Sequence, residues 1–142
     1  MKRFFFLIAL FFSLNLFSQN ISIKGVVKQS AVSGQQSVSL VRLLTYNDML
    51  TCEQTTIYET KTDDDGNFVI EANIDDIVMA QIAIDLEKVD ILLKPNSNYE
   101  VEIIIPDQKD NISYFERQNP TLKMIEENDD NLYYQYSISN MI

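Results

Sequence analysis

Thr62-Asp63-Asp64-Asp65-Gly66-Asn67-Phe68 separates two runs of β-prone sequence, residues 55–62 and 68–72. Asp and Asn tolerate left-handed backbone, and Gly66 supplies a positive φ at no steric cost, so the stretch reads as a hairpin turn. Outward from this hairpin the chain keeps the same grammar. Residues 21–28 alternate, with Ile21, Ile23 and Val27 on one face and Ser22, Lys24 and Lys28 on the other, the period of a half-buried strand.

Residues 29–37 form a loop rich in Ser, Gly and Gln, and 37–46 is a longer run with both faces partly apolar. Residues 47–53 break the pattern. The run 55–62 carries few apolar residues, as an edge strand does. Residues 77–84 are apolar nearly throughout, which suits a central strand covered on both sides, and Leu86-Glu87-Lys88 is read as the turn that follows. Val89, Ile91 and Leu93 face inward on the next strand; Lys94-Pro95-Asn96-Ser97-Asn98 turns; Tyr99, Val101, Ile103 and Ile105 alternate until Pro106 ends the ladder. Seven short strands at these spacings predict an all-β fold, a seven-stranded antiparallel β-sandwich of Greek-key type.

The two ends differ from this middle. Met1-Lys2-Arg3 followed by the apolar run from Phe4 to Phe12, and then Leu14, Leu16 and Phe17, has the charged start and apolar stretch of a secretory signal peptide, cleaved after Ser18. Asn15 interrupts the run, which falls short of the ~20 residues a spanning helix needs, so no integral membrane span is expected once the signal is removed. Beyond Pro106, residues 108–142 read as a polar linker and a partly helical tail. Asn119-Pro120-Thr121 is placed to cap a helix across Leu122 and Ile125, continuing to Leu132 and Tyr136, although residues 126–130 interrupt the apolar period. Tyr133, Tyr134 and Tyr136 read as packing residues. The domain plan is therefore a signal at 1–18, a β-sandwich at 19–107 and a tail at 108–142.

Composition removes several chemistries. The 142 residues include 21 acidic and 11 basic ones and no histidine, for a formal charge of −10. Such a surface repels phosphate backbones and anionic lipid, which argues against nucleic-acid binding. The absence of histidine excludes Ser-His-Asp and Cys-His catalysis and histidine-based metal sites, and the single cysteine, Cys52, excludes an intrachain disulfide. Cys52 is expected to be buried and inert. Paired carboxylates arise by chance in so acidic a chain, and there is no tryptophan to stack a sugar ring at a glycosidase cleft. No catalytic and no cofactor-binding residue is expected. Asp63, Asp65 and Asn67 are candidate calcium ligands, since hard cations take clustered oxygens. An EF-hand loop in that register needs Asp or Asn at 61 and Glu at 72, where Lys61 and Ala72 stand, so a solvated turn is the plainer reading.

Ile23-x-Gly25-x-Val27 on a first strand, a hydrophobic second strand, and Thr62-Asp63-x-Asp65-Gly66-x-Phe68 on a hairpin together resemble the carboxypeptidase regulatory-like, transthyretin-type β-sandwich of exported bacterial proteins. Residues 92–102, Leu92-Leu93-Lys94-Pro95-Asn96-Ser97-Asn98-Tyr99-Glu100-Val101-Glu102, are similar to the closing hairpin of modules that precede thioredoxin-like domains. The resemblance covers roughly residues 20–105 and implies structural roles, Gly for the turn and Phe for the core, with no active site. The segment between Ser37 and Thr62 is longer than that pattern usually has. The expectation is an exported, non-catalytic module in the periplasm, at the cell surface or outside the cell, serving structural support or contact with an envelope protein or glycan. The alternative is the N-terminal accessory domain of a larger secreted enzyme or outer-membrane transport protein.

Overall fold

Alternating side chains on the first strand set the inside of the molecule: Ile21, Ile23 and Val27 are buried, while Lys24 and Lys28 are exposed. The computed structural model describes residues 20–29, 38–48, 50–107 and 118–125. The signal expected at 1–18, residues 30–37 of the expected loop, the helix expected over Leu132 to Tyr136 and the packing expected of Tyr133, Tyr134 and Tyr136 lie outside them. Within them the chain forms β1 (Asn20–Gln29), β2 (Leu40–Asp48), β3 (Glu53–Lys61), β4 (Asn67–Asn73), β5 (Val78–Ile84), β6 (Glu87–Leu93), β7 (Asn98–Ile105) and β8 (Thr121–Met124).

Two four-stranded sheets result, ordered β4-β1-β7-β8 and β3-β2-β5-β6. Their inner faces share one apolar cluster. Ile23, Phe68, Ile70, Val101 and Ile103 from the first sheet meet Val41, Leu43, Ile82, Ile91 and Leu93 from the second. Most of these side chains are removed from solvent completely, each contributing about 1.5–3 kcal/mol of transfer free energy. The fold is all-β with the character of a sandwich. Tyr99 is buried as well, and its hydroxyl accepts a 2.8 Å hydrogen bond from the Lys94 amide, so the polar end of the ring is satisfied at the turn into β7.

Four expectations are corrected. β1 pairs in parallel with β7, Ile23 opposite Tyr99 and Val27 opposite Ile103, so the first sheet is mixed. The described residues hold eight strands, where seven were expected. The eighth is the segment read as a helix after Pro120: Leu122 is buried and Met124 packs against the core, while Thr121 and Lys123 face out, and the segment pairs antiparallel with β7. A period of two won because β7 offered an unpaired edge that a Leu-x-Met alternation could complete, and the i, i+3 pair Leu122 and Ile125 is split, with Ile125 57% exposed. Finally, the β5–β6 turn falls at Asp85-Leu86, and Glu87 already belongs to β6. Asp85 takes the positive φ, 52°, that a two-residue hairpin demands at its first central position.

The expected central strand is in place, since β5 lies between β2 and β6. β3 is an edge strand of its sheet among the described residues.

Candidate functional site

Asp63, Asp65 and Asn67 come together in the β3–β4 turn, and the Asp63 carboxylate is what organises it. Oδ1 accepts from the amides of Asp65 (3.0 Å) and Asn67 (2.8 Å), and the Asn67 side-chain amide donates to both Oδ1 (3.2 Å) and Oδ2 (3.0 Å). Gly66, at φ 83°, donates to the Asp63 carbonyl, while its own carbonyl accepts from the amide of Val27. The Asn67 side chain first, and then its backbone amide, hold the Asp63 carboxyl below the usual carboxylate range. Both carboxylate oxygens are thus engaged by the turn itself. Among the described residues no group of three or more Asp, Glu, Cys or His side chains is placed to hold a metal ion.

Cys52 is exposed, contrary to expectation: it lies in the β2–β3 turn at a φ of 56°, outside both strands, where Asp48 accepts hydrogen bonds from the Leu50 amide and the Thr51 hydroxyl. These bonds, the Leu50 amide foremost, lower the Asp48 carboxyl from its ordinary value. Residues 47–53 break the strand alternation, and the Asp-x-x-Thr spacing from Asp48 to Thr51 is the sequence signal of a side-chain-organised turn within them.

Three surfaces remain. The first is the β3 edge. Nearly every residue of β3 is exposed or half-buried, and its pairing with β2 skips Ile57 between Tyr58 and Thr56, a bulge that changes which side chains face out.

The second is the outer side of the β4-β1-β7-β8 sheet. A shallow trough of about 340 Å³ opens there between Lys24, Val26, Val69, Glu100 and Ile125. Gly25 lies at its floor with Phe68 packed directly beneath, opposite it in register. A Cβ at Gly25 would fall inside the Phe68 ring, so the glycine is required by close packing. An isolated glycine inside an alternating strand is the sequence signal for such a close approach.

The third is the outer side of the β3-β2-β5-β6 sheet. Lys88 donates to the Gln54 side-chain oxygen (3.0 Å), Gln54 donates to Gln81 (2.6 Å), and Gln81 donates to Asp90 (2.7 Å). Lys88 and Asp90 belong to β6, Gln81 to β5 and Gln54 to β3, so this chain of side chains crosses the sheet and passes over β2. Leu44 and Ala83, which face the same way, are buried beneath these long stems. Arg42 shares the face, with its Nε buried and without a hydrogen bond.

No family model matches the chain, and no curated protein matches it closely.

Proposed function

We propose that this chain is an exported, non-catalytic β-sandwich module that works at the cell envelope by holding a partner protein. The observation that carries the reading is β3: a nine-residue strand that is an edge of its sheet among the described residues, with side chains exposed or half-buried throughout and Ile57 37% exposed at its centre. An edge of this length pairs readily with an extended segment of another chain. Charge blunts its two ends, Glu53 at one and Glu59 and Lys61 at the other, and leaves the middle uncharged. The described part of the tail does not compete for it, since β8 adds to β7 in the other sheet. The acidic turns at Asp63–Asp65 and Asp75–Asp76 favour a basic partner at low salt. Kinship with carboxypeptidase regulatory-like modules belongs to the same reading, supported by Gly25 and the Gly66-x-Phe68 element. Export rests on the residues 1–18 signal, and intact-mass analysis of envelope-fraction protein checks it.

The docking test is site-specific photocrosslinking in intact cells. A photoreactive residue at Ile57 should capture one defined protein, and one at Glu71 on the other sheet should not. Equal capture at both positions, or none at Ile57, removes the edge as the working surface.

A further inference from the structure

We propose that the outer side of the β3-β2-β5-β6 sheet is a binding face for a neutral, hydroxyl-rich oligosaccharide. This goes beyond the β3 edge and uses side chains where the edge uses backbone. Gln54, Gln81 and Asp90 form a continuous row in which each head group is held by its neighbour, at 2.6 Å and 2.7 Å, with Lys88 fixing the far end at 3.0 Å. Those bonds use one hydrogen of each amide and one oxygen of the carboxylate. Each amide keeps its second N–H and a free lone pair, and Asp90 keeps Oδ2.

A row that alternates donors and acceptors is matched by a ligand whose groups both donate and accept, which is the property of adjacent sugar hydroxyls. The planar amide and carboxylate heads also suit two vicinal hydroxyls at once. Tyr46, half-buried and opposite Gln54 in register, supplies a ring against which the apolar side of a pyranose can lie. A peptide would seek backbone partners, which the interior of a sheet face does not offer. Arg42 and Lys88 share this face with Asp90, but the formal charge of −10 over the whole chain disfavours an acidic polymer at long range, whereas a neutral saccharide is indifferent to it. The row is already locked in place, so little side-chain freedom is lost on binding.

The test is NMR titration of the purified protein with maltohexaose, cellohexaose, xylohexaose, mannohexaose and N-acetylchitohexaose, one at a time. The expected result is saturable binding of at least one of them, with the side-chain amide signals of Gln54 and Gln81 shifting and little change in affinity as salt is raised. Gln81→Ala should weaken that binding about tenfold or more, the loss of one or two hydrogen bonds to a ligand. Glu71→Gln, on the opposite sheet, should leave it unchanged. Should Gln81→Ala fail to fold, Asp90→Asn and Lys88→Met change exposed side chains and serve in its place. No shift with any probe at millimolar concentration overturns the proposal. So do shifts confined to the Val26, Val69 and Ile125 trough, undiminished binding by a folded variant, or affinity that falls steeply with salt.

Discussion

Gly25 and Phe68 sit across from one another on β1 and β4, and each explains the other. The ring occupies the space a side chain at 25 would take, so Gly25→Ala should destabilise by about 1–3 kcal/mol through overpacking, while Phe68→Ala should cost about 3–5 kcal/mol by leaving a cavity. Made in the background of Phe68→Leu, Gly25→Ala should cost less than it does alone, because the shorter side chain frees the site. A double-mutant cycle by urea unfolding reads this coupling directly. Additive effects would mean that the two residues do not touch. Asp63 carries a second residue-scale prediction. Its carboxyl is depressed in the folded state, so the stability it adds is fully present above its ordinary pKa of 3.8 and is lost as pH falls through the lowered folded value. Asp63→Ala should therefore lower Tm at pH 7 more than Asp64→Ala does, and the gap should shrink in strong acid. A gap that persists there would assign the effect to something other than the ionised carboxylate.

At the scale of the element, β8 shows what a one-dimensional reading can and cannot see. Residues 121–125 contain Leu, Met and Ile at spacings that fit a helix through Leu122 and Ile125 as well as a strand through Leu122 and Met124. Only the free edge of β7 decides between them, and that edge is made by residues about twenty positions earlier in the chain. Leu122→Ala should cost about 2–5 kcal/mol, as a buried leucine does, and Ile125→Ala should stay within about 0.5 kcal/mol. A helical segment would make both changes costly; thermal unfolding of the two variants separates the cases. The hairpin at Asp63–Gly66 and the alternation of β1 were legible because local chemistry alone specifies them. The parallel pairing of β1 with β7 was not, because neither strand carries a mark of its partner's direction. The Lys88-Gln54-Gln81-Asp90 row was invisible for a similar reason: its members lie on three strands, and alternation says only that each points outward.

For the whole molecule, the two sheets divide the labour. Their inner faces supply the apolar cluster, and their outer faces differ: one has a trough between Lys24 and Glu100, the other a locked polar row. The acidic balance leaves this surface strongly negative above the carboxylate range, which keeps copies apart and favours solubility. The place of β1 between β4 and β7 has a kinetic side. The first strand to leave a narrow exit is the middle of its sheet, yet one of its neighbours, Asn98–Ile105, comes near the end of the domain. Such non-local closure is slow, because the loop must be ordered before the contacts that reward it exist. A chain threaded N-terminus first thus stays loose until β7 is through, and stopped-flow refolding should show a single slow phase that Val101→Ala retards. A sheet that closes this late leaves both edges of β1 open for longer than one built from neighbours in sequence would.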